Sequence, residues 1–276
     1  MAMNLLAAGF PLVVWNRTPI KTKPLAERGA KVAKGPAHVA SEVDVVITMV
    51  SAPSAVESVI LGPSGVLEGI RSGAIVVDMS TVSPTTSRKL AGALTTKQVE
   101  FLDAPVVGSR GPAKQGTLVI LIGGLPGTLE RVRPVLSAMG KTIIYAGGVG
   151  MGSALKLATN LMLAHLATGF AEGLLLVQRC GLDPRRFLDV LAASTFCSPW
   201  YETKGSTMLK RDFAAHFALS LMRKDLGLMN ELAKELNLPL PVTELIERLF
   251  GEAQSTGKGN DDYSAILAHL EAGSPK

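Results

Sequence analysis

Cysteine is nearly absent. Cys180 and Cys197 are the only two, and their spacing suits no metal site, so no metal is expected and they read as reduced thiols of a cytoplasmic protein. Charge is also sparse, with 18% Asp, Glu, Lys and Arg and no run of five or six residues of one sign. The net charge is +5, but the basic residues are scattered. Binding along a nucleic-acid backbone needs a clustered basic face, so no nucleic acid is expected as a partner, and a cationic pocket for a small anionic ligand fits better. An uninterrupted membrane-length apolar run is missing too. The most apolar stretch, Leu157 to Gln178, carries Asn160, His165 and Glu172, which reads as a buried helix and not a membrane span. Nor does a basic segment precede an apolar core at Met1, so no signal peptide is expected.

What is present is enough apolar material for two cores: 276 residues, 47% hydrophobic, which favours two domains. MAMNLLAAG reads as the end of a helix closed by Gly9. Short β-branched runs follow at 12–15 (LVVW), 44–50 (DVVITMV), 74–80 (AIVVDMS) and 99–105 (VEFLDAP), as expected of strands buried on both faces. Helix-capable segments lie between them, including Pro53 to Ile60 and Pro84 to Leu94. Two more runs, 118–124 and 142–148, extend the pattern. This alternation predicts an α/β fold with a Rossmann-type parallel sheet over 1–148. From Gly150 the strands stop. One long helix ending at Gly181, a helix opened by Asp183 and Pro184, and helical patterns near 218–236, 241–254 and 262–271 predict an all-α domain over 149–276.

Three segments carry chemistry. Asn16, Arg17 and Thr18 follow the first apolar strand, where a Rossmann half reads the adenosine ribose. An acidic residue there would select NAD; a guanidinium suits a 2′-phosphate, hence NADP. An ordinary strand-end turn with a solvated arginine explains the same residues. Lys156 and Asn160, four apart, share one face of a helix whose other nearby residues are apolar. Such a lysine is usually solvated, but apolar surroundings can bring an amine into the working range of an acid or base. Gly108, Ser109 and Gly111, in the segment from Asp103 to Leu118 after the strand run at 99–105, form a loop whose N–H groups could approach a carboxylate, or a plain glycine-rich connector.

Taken in order, WNRTP, DMSTVSP, DAPVVGSRGPA, GVGMGSALKLATN and LMRKDLGL resemble the β-hydroxyacid dehydrogenases over essentially the whole chain, particularly the glyoxylate and succinic semialdehyde reductase branch. The resemblance implies an NADPH-dependent reductase, with NAD also possible as cofactor. Lys156 would be the general acid, Asn160 would orient substrate and lysine, and Thr81 would stand beside the nicotinamide. Val50 and Ser51 would pass over the cofactor, and Lys224 would contact it. Val107, Gly108, Ser109, Phe217 and Asp225 would line the pocket for a small carboxylate substrate. Core packing explains Phe217 as well, and a solvated helix face explains Lys224 and Asp225.

Two departures stand out. Val107 occupies a position where the family usually has a serine, so either Ser109 or backbone N–H groups bind the carboxylate, or the substrate differs. The family also begins with a strand and a G-x-G-x-x-G turn ahead of the helix read here as MAMNLLAAGF. Its absence implies a misassigned start or a truncated gene, with exposed neighbouring strands and weakened cofactor binding. Alternatives are therefore a 3-hydroxyisobutyrate-type dehydrogenase working oxidatively, or a non-catalytic dimeric scaffold of the same fold. Small residues along the long helix, Ala154, Ala158, Ala164 and Ala167, together with the family resemblance, suggest a homodimer or homotetramer, although monomer packing gives the same pattern.

Overall fold

A computed structural model describes residues 1–273. The chain divides into two compact units, Met1–Ala158 and Thr159–Lys276. The division falls inside the helix Met151–Arg179, whereas the sequence reading put the change of pattern at 148, where the last strand ends.

The first unit holds eight strands: β1 (Val13–Val14), β2 (Lys31–Val32), β3 (Val45–Thr48), β4 (Ile75–Asp78), β5 (Glu100–Asp103), β6 (Val106–Val107), β7 (Leu118–Gly123) and β8 (Gly140–Gly147). β1 and β2 form a parallel pair of their own. The other six form one sheet in the order β3-β4-β5-β7-β6, with β8 also on β7. β3, β4 and β5 are parallel, as are β7 and β8. β7 runs antiparallel to β5 and β6, a departure from an all-parallel sheet. The connection from β6 to β7 holds only the short helix Arg110–Gln115, less than a parallel crossover usually needs.

The apolar strand runs are continuous because both faces are covered. On β4, Ile75 and Val77 enter one core cluster with Leu102, Ile120 and Leu136. Val76 enters another with Val46, Phe101, Ile60 and Leu90. Successive residues of a strand point to opposite faces, so one run supplies two cores. The second cluster is covered by the helices Pro53–Leu61 and Pro84–Thr95. Ser83 caps the latter by accepting from Thr86 N at 3.1 Å, satisfying one of the donors a helix start leaves open.

Among the described residues the second unit has helices and no strand apart from an isolated bridge between Ala218 and Asp262. Leu219, Met222, Leu226, Met229 and Ala233 of the helix Leu219–Glu235 are buried at three- and four-residue intervals. Thr243, Ile246, Phe250 and Ala253 repeat the interval on Pro241–Ser255. This is the apolar stripe of amphipathic helices. Gly181 ends the long helix's exit with φ of +75°, and Asp183 caps the next, Pro184–Ala193, by accepting from Arg185 N at 3.0 Å.

Candidate active site

In the first unit, the ends of the parallel strands carry a buried polar row. Thr48, Asp78 and Asp103 are register partners across β3, β4 and β5. Each stands two residues beyond an apolar residue of the second cluster (Val46, Val76, Phe101), so all three face that side of the sheet. Thr48 Oγ1 donates to Asp78 Oδ1 at 2.7 Å and Ser80 N donates to the same oxygen at 3.2 Å. Asp78 Oδ2 is buried without a partner. Burial pushes the Asp78 carboxyl above the usual range, with the neighbouring Asp103 charge adding to it.

Asp103 is also raised by burial, against the pull of the N–H groups of Gly150 and Ser153. Those two donors reach its carboxylate oxygens at 2.7 Å each and belong to the start of the long helix. Further along that helix are Lys156 and Asn160, 8% and 2% exposed; neither is on a solvated face. Being four residues apart they share one side of the helix.

In the second unit, Asn160 Nδ2 donates to Asp225 Oδ2 at 2.6 Å. Since a carboxylate only accepts, this fixes which end of the Asn160 amide is the donor and leaves its carbonyl oxygen for the other side. Lys224 Nζ lies 2.8 Å from Asp225 Oδ1, and Asp225 is 1% exposed. These three residues therefore form one connected group. Phe217 is half-buried, its ring 5.9 Å from that of Tyr263. Its backbone N donates to Asp262 Oδ2 at 3.2 Å.

Asp262 is the hub of this second group. It also accepts from His216 N, from Ser264 N and Oγ, and from Lys204 Nζ at 2.6 Å. Burial raises its pKa, but the Lys204 and Ser264 bonds outweigh this and hold it below the usual value.

The remaining expected residues lie in the first unit, all but Val107 on loops. Asn16, Arg17 and Thr18 are exposed after β1, with Asn16 Oδ1 accepting from Thr18 N at 2.9 Å in an Asx turn. Val50 follows β3 and donates its N–H to Ser80 Oγ at 2.9 Å; Ser51 is exposed beside it, and Thr81 is half-buried next to Ser80. Val107 pairs with Val119 in the sheet. Gly108 has φ of +128°, and an added Cβ would stand 2.9 Å from Leu118, so the turn needs glycine there. Ser109 is half-buried at the start of Arg110–Gln115.

The sequence reading passed over Thr48, Asp78, Ser80, Lys204 and Asp262, and gave Asp103 no role. A signal existed for two of them: IVVD and EFLD each end an apolar strand on a carboxylate, and a buried charge needs partners.

The residues at 16–18 fit an NADP 2′-phosphate. The Asx turn leaves the Arg17 guanidinium exposed at the corner, and no acidic side chain stands there.

The chain is similar to known proteins over nearly its whole length. Residues 1–147 match the NAD binding domain of 6-phosphogluconate dehydrogenase, and 150–270 match the family described as NAD-binding of NADP-dependent 3-hydroxyisobutyrate dehydrogenase. The chain is 38% identical to glyoxylate/succinic semialdehyde reductase 1 of Arabidopsis thaliana, over 97% of this chain and 92% of that protein. Among solved structures, 3-hydroxyisobutyrate dehydrogenase of Mycobacterium tuberculosis with L-serine superposes with a TM-score of 0.89 at 28% identity, covering 98% of this chain and 94% of the other. Psf3 in complex with NADP+ and 2-OPP gives 0.87 at 25% identity, covering 98% and 95%.

Proposed function

The chain belongs to the β-hydroxyacid dehydrogenase family of NAD(P)-dependent oxidoreductases acting on CH–OH donors, and from that premise we propose that it reduces a small carboxylate-bearing aldehyde, glyoxylate or succinic semialdehyde, with NADPH. The observation that carries this reading is Lys156, a residue only 8% exposed, on the same helix face as an Asn160 amide whose polarity is set by Asp225.

When bound, the reduced nicotinamide supplies a hydride to the carbonyl carbon. Lys156 holds a proton at Nζ for the oxygen of that carbonyl, and in the reverse direction the neutral amine takes it back. Asn160 orients the lysine and the substrate oxygen with an amide that cannot flip without setting its carbonyl oxygen against the Asp225 carboxylate. Ser109 and the N–H groups around Gly108 receive the substrate carboxylate in place of a hydroxyl at Val107. By the family resemblance, Thr81, Val50 and Ser51 would border the nicotinamide, Lys224 would contact the cofactor, and Phe217 would contribute apolar surface for the substrate.

Arg17 gives the preference for NADPH. Arg17→Ala is expected to raise the NADPH KM about 10-fold or more, the worth of a charge-assisted phosphate contact, and to leave the NADH KM unchanged. The reading is tested by following NADPH oxidation with glyoxylate and succinic semialdehyde beside NAD(P)+ reduction with 3-hydroxyisobutyrate. Faster aldehyde reduction supports it. Faster hydroxyisobutyrate oxidation replaces it with the oxidative alternative, which the valine at position 107 leaves open.

We also propose that the protein works in the cytoplasm as a homodimer or homotetramer, without nucleic-acid or membrane partners. Met162, Leu176, Val190 and Phe196 of the helical unit are 65%, 67%, 63% and 63% exposed, which supports a protein contact there. A monomeric mass in light scattering would refute the oligomer.

A further inference from the structure

The first N–H groups of any helix lack intrahelical acceptors, and a residue just ahead of the helix usually supplies one. The long helix Met151–Arg179 is served differently. Asp103, at the end of β5 and 1% exposed, accepts from Gly150 N with one carboxylate oxygen and from Ser153 N with the other, both at 2.7 Å. Burying a carboxylate for this purpose costs desolvation that a local serine or threonine cap would avoid. What the long-range carboxylate adds is a fixed reference between the helix and the sheet.

The surrounding contacts leave little slack. An added Cβ at Gly152 would stand 2.6 Å from Leu121 O and 2.8 Å from Asp103 O, and one at Gly123 would stand 2.4 Å from Asp103 Oδ1. Gly150 turns into the helix with φ of +92°. On the other side Ser153 Oγ and Ser87 Oγ are 2.9 Å apart, tying the same turn to the helix Pro84–Thr95. Lys156 comes three residues after Ser153, about 4.5 Å along the axis at 1.5 Å per residue. A shift of the first turn therefore moves the lysine with it.

We propose that Asp103 is a positioning residue for Lys156: its carboxylate pins the first turn of the long helix to the strand ends and thereby sets where the lysine amine stands. The catalytic consequence rests on the reading of Lys156 as proton donor; the anchoring itself does not.

Two variants of the full chain test it. Asp103→Asn keeps the shape but must turn an NH2 group toward one of the two N–H donors, losing a bond and the charge. Gly152→Ala keeps the carboxylate and pushes the turn off the sheet. Both are expected to keep the wild-type circular dichroism spectrum and NADPH affinity, while kcat for aldehyde reduction falls about 10- to 100-fold, the effect of a misplacement on the order of 1 Å. A second readout follows Lys156 itself, by pH-dependent acetylation with acetic anhydride and mass spectrometry. Its midpoint should fall in Asp103→Asn, because an anion near the start of its helix has been removed.

Wild-type kcat and an unmoved midpoint in a folded Asp103→Asn would overturn the proposal. Should that variant not fold, Gly152→Ala decides, and wild-type turnover there overturns it equally. If the unaltered chain reduces no aldehyde while the midpoint still moves, the reductase reading fails and the anchor stands.

Discussion

The two units bury carboxylates in opposite ways. In the sheet unit Asp78 and Asp103, 0% and 1% exposed, are met only by N–H and O–H groups, and burial raises both. In the helical unit Asp225 and Asp262, each 1% exposed, face ammonium groups at 2.8 and 2.6 Å, and Asp262 is held below its usual value. Parallel strand ends and a helix start offer backbone dipoles without counter-charges, whereas the helical unit brings lysine side chains to its carboxylates, from a residue 58 away in sequence at Asp262 and from the adjacent residue at Asp225. The sheet unit therefore places polar groups where backbone geometry dictates, and the helical unit relies on ion pairs.

The sharpest way to break this contrast is to remove one partner. Asp262→Ala leaves the Lys204 ammonium, its side chain 17% exposed, without its anion, and also removes the acceptor of His216 and Phe217 N–H groups. Losing one partner of a buried pair costs about 3–5 kcal/mol, to be read as a lower urea midpoint for the helical unit. A cost near zero would mean that the pair is well solvated.

Acid should separate the units next. Asp262 has a folded pKa below its ordinary 3.8, so its contribution is present above 3.8 and is lost as the pH falls through the folded value. Asp78 and Asp103 have raised folded values, so theirs is greatest in acid and declines as the pH rises through 3.8 and beyond. Below about pH 4 the helical unit is expected to unfold before the sheet unit. The two tryptophans report separately, Trp15 from the sheet unit and Trp200 from the helical unit, where its Nε1 donates to Tyr263. Trp15→Phe and Trp200→Phe variants should show distinct acid transitions, and coincident ones would contradict the contrast.

The smallest effect is expected at Asp78. An amide keeps the shape and the Oδ1 acceptor, and Oδ2 has no partner to lose. Asp78→Asn should cost less than about 1 kcal/mol in urea unfolding, against several for Asp262→Ala.

The same contrast explains what could be read from sequence. Doubly buried strands such as AIVVDMS and the long helix from Gly150 announce themselves by local pattern, and the expected β4 and the helix end at Gly181 match within a residue or two. β2 and β6, two residues each, are too short for a pattern. Within the candidate site, the shared helix face of Lys156 and Asn160 was legible because helical spacing is local, whereas their proposed roles came from the family resemblance. The Asp225 bond to Asn160 joins residues 65 apart, and the Lys204–Asp262 pair joins residues 58 apart. No periodicity encodes such partners; they depend on how the helices pack. Asp103 lay between these cases, visible as a charge in an apolar run but with its acceptor role set by a helix start far along the chain.

The most direct test of the account is Lys156→Met, which keeps the apolar stem and removes only the amine. Measured beside the unaltered chain with NADPH and glyoxylate or succinic semialdehyde, it is expected to lower kcat about 100- to 10,000-fold, the usual worth of a positioned general acid, with NADPH affinity unchanged. Undiminished turnover in Lys156→Met would contradict the assignment of the proton to this lysine.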